Sequence, residues 1–365
     1  MTESDVEPSY HPSLSTEQAR IHLSALLLRG AIQNPNLDNS ITRLERRFQN
    51  YCALYPHGLW APGLVISNEM RGITEQYLPM AEIRAAFRRF FSLALHYPLP
   101  DESNPFQTAS SWLDLLQRLH LAKESVNPAA LLGKLTIDED FRMCFLFTAL
   151  LPAHHGGSFL RYPDQIDYLK SWIIRRSSFL SGGIRCLDAA CGTGEGTYDV
   201  ADLLLRCGIP SRSQQIHGCS LEPLEVFAAA HGFFPHDPER QLRFRTRMEQ
   251  LFNAHGTDGM VFFRDTILRQ PSPEEHPYDI ILCNGLLGGP FLHEPEMLEK
   301  AIHALVKRLK TGGILLTADR FHGGWRKENP PARIVEIMQR TGLTVRHGEY
   351  GIAAEKSNLI KHGVL

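Results

Sequence analysis

Apolar positions along the chain follow two rhythms, and the change between them falls near Gly156. Up to about Pro152 they recur every three or four residues, as in AEIRAAFRRFFSLALHY, SSWLDLLQRLHLAKE and FRMCFLFTALL, with proline-rich breaks such as HYPLPDESNP between them. That period puts apolar side chains on one face of a helix. It predicts a helical domain over residues 1–155, serving as a substrate-binding or lid domain. From Ile184 short apolar runs alternate with helical patterns. IRCLDAA, QIHGCSL, MVFFRDT, YDIILCNGLL, GGILLTADR and GLTVRHGEY read as strands. TYDVADLLLRC, PLEVFAAAHGFF, EPEMLEKAIHALVKRLK and ARIVEIMQRT read as the helices between them. Such alternation predicts an α/β domain over 156–365, a parallel sheet covered on both faces. The polar stretch between Phe234 and Met260 is expected to add a helix outside the core.

Composition narrows the picture. A chain of 365 residues exceeds the usual size of one core, which favours two domains. With 38 basic against 40 acidic residues, it lacks the excess positive charge of sequence-independent nucleic-acid binding. The seven cysteines are odd in number, scattered, and often inside apolar runs, a pattern of reduced, core-packed thiols. No Cys-x-x-Cys pair is present, so no metal site is expected. The amino terminus does not read as a signal peptide, and no apolar run is long enough to span a bilayer. These features predict a cytoplasmic protein with no membrane or nucleic-acid partner, and they leave the oligomeric state open.

The candidate chemistry centres on IRCLDAACGTGEGTYDVADLLL. In an open parallel sheet, ligands bind beyond the carboxyl ends of the strands, first of all at the first strand-to-helix turn. Asp188 ends that strand and Cys191 to Gly196 form the turn, with Asp188, Ala190, Cys191, Gly192, Gly194 and Glu195 the candidates to hold a ligand. Glycines there let a ligand lie against backbone. Their spacing departs from the Gly-x-Gly-x-x-Gly pattern that seats a pyrophosphate, and the Glu195 carboxylate would repel one. An acid suits a ligand that carries an amino group. The stretch resembles the first motif of class I S-adenosyl-L-methionine (SAM) dependent methyltransferases, which implies a Rossmann-like sheet and SAM as cofactor. Glu222, after the second strand, is the candidate for the ribose hydroxyls, although a carboxylate also suits the helix start found there. Asp265 and Thr266, after the third strand, are placed for the adenine edge, and a capping role explains the same letters. Asn284 and Gly285 end the fourth strand opposite the glycine turn.

Several segments together resemble the CheR-type protein-glutamate methyltransferases of bacterial chemotaxis. These are GGSFLRYPDQIDYLKSWI, ACGTGEGTYDVA and YDIILCNGLL, within roughly Gly156 to Arg320. The resemblance implies that Arg161 lies near cofactor and acceptor, that Glu195 takes the SAM amino group, and that Asp265, Asn284 and Gly285 line the adenine and methionine pocket. The chain departs from that family at Gly196 and Thr197, at Ser220, at Asn284 and Gly285, and at Gly289, which stands at the family's active-site tyrosine. A different acceptor follows, either a small molecule or a protein side chain. A carboxylate acceptor needs no base and could be oriented by Arg161. A hydroxyl or amine would gain from a base, with His293 or His322 placed to serve. The pair His154 and His155 lacks a third metal ligand. The readings in play are therefore a SAM-dependent methyltransferase, a catalytically degenerate SAM-binding regulatory protein, and a nicotinamide-dependent oxidoreductase, which the glycine spacing disfavours.

Overall fold

The computed structural model describes residues 8–54, 67–99, 105–119, 126–151, 158–176, 182–255, 259–289, 292–319 and 329–357. The chain divides into two compact units. One comprises Met1–Ala19, Ala153–Phe234 and Pro238–Leu365; the other comprises Arg20–Pro152 with Pro235–Asp237. Residues 8–19 group with the sheet.

The helical unit holds most of α1 (Thr16–Leu26), then α2 (Pro35–Leu54), α3 (Asn68–Tyr77), α4 (Met80–Ala94), α5 (Pro105–Thr108), α6 (Trp112–Arg118), α7 (Pro128–Ile137) and α8 (Glu139–Leu150). Its starts are written in the sequence: Ser67, Ser111, Asn127 and Asp138 each accept a backbone N–H of the following first turn. The core is aromatic. Phe87 lies 4.5 Å from Phe106 and 6.1 Å from Phe145, ring centre to ring centre, and all three are buried. Arg142, 2% exposed, donates to the carbonyls of Leu135, Leu28 and Gly30, so its own buried guanidinium is paired.

The other unit is built on an eight-stranded sheet. Its strands are β1 (Ser9–Tyr10), β2 (Ile184–Asp188), β3 (Gln214–Ser220), β4 (Met260–Arg264), β5 (Tyr278–Leu282), β6 (Leu309–Thr317), β7 (Leu343–Gly348) and β8 (Gly351–Lys356). They lie in the order β1-β4-β3-β2-β5-β6-β8-β7. β2 to β6 are mutually parallel, whereas β1, and β8 against both neighbours, are antiparallel. The intervening helices are α9 (Pro163–Arg175), α10 (Glu195–Arg206), α11 (Pro223–His231), α12 (Pro238–His255), α13 (Pro295–Arg308) and α14 (Pro331–Arg340). From β2 the strand order runs outward in both directions, and right-handed crossovers then place helices on both faces. Leu187, Cys219, Ile281 and Leu315 pack with Leu298, Ile302, Leu305 and Met338 of α13 and α14.

Strict alternation fails in three places. β1 and β8 were not legible as strands, and no helix joins β4 to β5, which leaves Gln215, His217, Val261 and Phe263 on that face exposed or half-buried. The supposed outlying helix is also not outlying. Phe244 and Met248 of α12 are buried, and the Phe244 ring lies 5.6 Å from that of Tyr198 on α10.

β1 closes the β4 edge, where unpaired backbone groups would otherwise template aggregation. Arg264 N donates to Pro8 O at 3.0 Å, and Tyr10 packs its ring against Phe227 and His231. Replacing Tyr10 with alanine is expected to cost about 3 kcal/mol, within the range for buried aromatics. Denaturant unfolding followed by Trp fluorescence measures it, and a loss below about 1 kcal/mol would show that β1 is only laid on the edge.

Candidate functional site at the carboxyl edge of the sheet

The ends of β2, β3 and β5 meet at one edge, and their backbone ladders continue past the strands. Ala189 N donates to Leu282 O, Cys191 N to Cys219 O, and Gly285 N to Ala318 O, at 2.8–3.0 Å. The glycine turn hangs on this ladder. Gly194 N donates to Cys191 O, and the chain passes through left-handed conformations at Gly192 (φ +51°) and Gly194 (φ +92°). The two glycines do different work. Gly192 and its neighbour Ala190 are half-exposed. Gly194 is buried, and a Cβ there would stand 2.8 Å from Ala229 Cβ and 3.2 Å from the Phe262 ring. Gly194 is thus a packing glycine, and ligand approach is left to the backbone of Ala190 to Gly192.

Asp188, 6% exposed, accepts from Thr197 Oγ1 at 2.8 Å and from the Ala190 backbone. Burial pushes its carboxyl up to about 6, against the pull of those two hydrogen bonds. The acid therefore braces the turn against the first turn of α10. Cys191 is buried too, and burial drives its thiol well above the usual range, which makes it inert packing rather than a nucleophile.

Glu195 departs most from expectation. Its carboxylate is buried and receives Thr193 Oγ1 at 2.7 Å and Arg240 Nη2 at 2.5 Å. The same Arg240 nitrogen also donates to Thr193 Oγ1, and the guanidinium lies 4.4 Å over the Phe234 ring. The acid expected to stand open for an amino group is already half of a buried ion pair. Sequence reasoning missed Arg240 because α12 was placed outside the core. Only the helical period of Phe244 and Met248, at i+4 and i+8 from Arg240, could have signalled that it faces inward.

The other candidates are similarly engaged. Glu222 caps α11 by accepting Leu224 N at 3.1 Å, and Ser220 Oγ donates to Glu225 instead of standing open. The Asp265 carboxylate takes both Nε and Nη2 of Arg269 and also the buried Arg308. Thr266 remains beside it, in a groove of ≈ 640 Å³ at the ends of β3 and β4 lined by Leu221, Arg264 and Asp265 among others. The Asn284 amide is pinned at both ends. It exchanges hydrogen bonds with Gln165 of α9 at 2.8 and 3.1 Å, and its oxygen accepts Ala318 N. Gly285 differs from all of these: at φ +71°, a Cβ added there would meet nothing within 4 Å. Arg161 precedes α9, with its guanidinium 5.5 Å from the Tyr162 ring. His293 is a third exposed, with Glu294 at 3.5 Å. His154, His155 and His322 lie outside the described residues. Among the described residues no His, Cys, Asp and Glu cluster is arranged to hold a metal, and no helix is long and apolar enough to cross a membrane.

No family model matches the chain, and no curated protein matches it. Solved structures do. A chain described as an rRNA methylase from Clostridium thermocellum is 16% identical over 53% of this chain and 94% of its own, with a TM-score of 0.35. The SAM-bound amino pentose methyltransferase of calicheamicin biosynthesis from Micromonospora echinaspora is 17% identical (TM-score 0.29). That likeness covers 44% of this chain but only about half, 51%, of the other. The magnesium protoporphyrin IX methyltransferase of Synechocystis, with bound S-adenosylhomocysteine, is 16% identical over 53% and 82% (TM-score 0.32). The architecture rests on the sheet itself: five parallel strands wound outward from β2, an antiparallel β8 between β6 and β7, and the glycine turn after β2. This is a Rossmann-like α/β sheet.

Proposed function

We propose that the chain is a SAM-dependent methyltransferase acting on a small molecule or a protein side chain. The observation that carries this reading is the turn from Ala190 to Gly192, half-buried at those two residues and left-handed at Gly192, over a buried acid, at the point where the strand order reverses. The backbone of that turn would hold the methionine end, with Asp188 bracing it and the Glu195–Arg240 pair beside it. Glu222 and Thr266 are assigned to the ribose and adenine ends, and Gly285 to the open passage over β5. SAM supplies a methyl carbon already activated by its sulfonium, so the protein's part is alignment and exclusion of water. Arg161 is assigned to lie against the cofactor and to orient the acceptor beside it, following the resemblance to CheR-type enzymes, while the departures at Ser220 and Gly289 argue against receptor glutamates as the acceptor.

Calorimetry with S-adenosylhomocysteine and with NAD tests the cofactor. Binding of NAD alone would sink the reading. The departures at Gly289 and Ser220 favour a second reading, a SAM-binding regulator without turnover. Slow release of S-adenosylhomocysteine in an acceptor screen decides between the two.

If the acceptor is a carboxylate, Arg161→Lys should lower turnover on the order of 10- to 100-fold through lost bidentate geometry. His293→Ala should then change it less than about twofold, with no histidine limb in the pH profile. A limb near the histidine range that vanishes in His293→Ala would instead assign His293 as a base and the acceptor as a hydroxyl or amine.

A further inference from the structure

Leu160 is the one non-glycine residue with positive φ among the described residues, at +57°. A side chain with a Cβ disfavours that conformation, so something must hold it there. Burial does not, because Leu160 is 49% exposed. Its backbone N–H donates to Asp199 Oδ2 on α10 at 2.5 Å. Next to it the Phe159 ring lies 5.3 Å from Phe244 and 5.9 Å from the Arg247 guanidinium, both on α12. Asp199 is 3% exposed, and its second oxygen, Oδ1, is buried without a hydrogen-bond partner. A protein bears a buried, half-satisfied acid only where it is over-determined by something else. Here the visible product is one strained turn, directly before Arg161.

We propose that Asp199 is a positioning residue: it locks Leu160 in a left-handed turn and so fixes where Arg161 leaves the chain. This rests on the assignment of Arg161 to the SAM site. The charged groups facing Asp199 are Glu195 and Asp202 on its own helix, which disfavour its ionisation, and Arg247 on α12, which favours it, while the Leu160 N–H favours the ionised form as well. Burial outweighs these and pushes the carboxyl up to about 7. An ionised carboxylate accepts an N–H more strongly than a neutral acid. Even so, a carboxyl whose pKa burial raises in the closed turn favours opening as it ionises, so the lock loosens as pH rises through neutrality.

Hydrogen exchange by mass spectrometry on the full chain, read on the peptide spanning residues 158–162 and corrected for intrinsic rates, tests this. Asp199→Ala should raise exchange there by about tenfold, as for loss of one charge-assisted hydrogen bond. Asp199→Asn, which keeps an acceptor oxygen, should stay within about threefold of wild type. Wild-type protection should fall between pH 6 and 8, and the fall should vanish in Asp199→Asn. In calorimetry, Asp199→Ala should weaken S-adenosylhomocysteine binding, and adding Leu160→Gly, which takes the left-handed turn freely, should restore part of the loss. Unchanged exchange in Asp199→Ala overturns the proposal, as does an increase spread evenly over α10 and α12, or unchanged affinity with a loosened turn. If wild type itself binds no S-adenosylhomocysteine, the cofactor assignment fails, and the exchange result alone still decides whether Asp199 holds the turn.

Discussion

Arg240→Ala is expected to destabilise the protein by about 3–5 kcal/mol, the range for stripping one partner from a buried ion pair. The two side chains are only 14% and 9% exposed, so removal of the guanidinium leaves the Glu195 charge with a hydroxyl for company. Neutralising both partners together, as Arg240→Met with Glu195→Gln, should recover most of that loss, since the desolvation of two charges disappears with their attraction. The double variant then separates folding from binding. An α-amino acid is a zwitterion, and a carboxylate beside a guanidinium complements both of its charges. The double variant should therefore bind S-adenosylhomocysteine at least about tenfold more weakly than wild type, by the loss of charge-assisted hydrogen bonds. Methylthioadenosine, which lacks the amino-acid end, should bind both proteins alike. Equal losses for the two ligands would show that the pair only shapes the turn. No loss for either would remove it from the cofactor site.

The fold was legible where local pattern and tertiary packing agree. Strands β2 to β7 were readable as runs, most clearly β5, a buried parallel strand that is apolar almost throughout, as YDIILC shows. β8, GIAAEK, has only three buried residues, two of them alanines, and it is a strand because β6 and β7 pair with it on either side. β1 is two residues long and exists through its pairing with β4. Pairing partners distant in sequence leave no period to read.

The site was legible as a place and less so as a set of contacts. The turn after β2 followed from the glycines and the preceding strand. That Glu195 meets Arg240, that Asp265 meets Arg269 and Arg308, and that Asn284 meets Gln165 depends on which helix crosses which strand end. A charged residue in a sequence gives its chemistry but not its partner. The Arg269 partner, at i+4 from Asp265, is local and could have been found, since a side chain four residues on lies within reach of a capping acid.

Gly194 and Gly285 make the sharpest contrast between a glycine required by packing and one facing open space. Both are left-handed, at +92° and +71°, so alanine strains either backbone by about 1 kcal/mol. At Gly194 the new methyl also meets Ala229 Cβ at 2.8 Å and the Phe262 ring at 3.2 Å. Ala229 and Phe262 are themselves fully buried, so neither can yield without moving α11 or β4. Gly194→Ala should accordingly cost about 2–4 kcal/mol, strain plus overpacking, and a β-branched residue there should abolish folding rather than binding alone. At Gly285 nothing lies within 4 Å, and Gly285→Ala should cost no more than the backbone strain. If the cofactor passes over β5, however, the methyl enters its space, and S-adenosylhomocysteine affinity should fall by about tenfold or more while the melting temperature moves only a few degrees. Calorimetry and thermal unfolding on the two single variants measure both halves. A Gly285→Ala protein that binds with wild-type affinity would place the ligand elsewhere along the edge, towards the groove at β3 and β4. A Gly194→Ala protein that melts like wild type would mean that α11 can retreat from the turn, and the packing role of that glycine would fall with it.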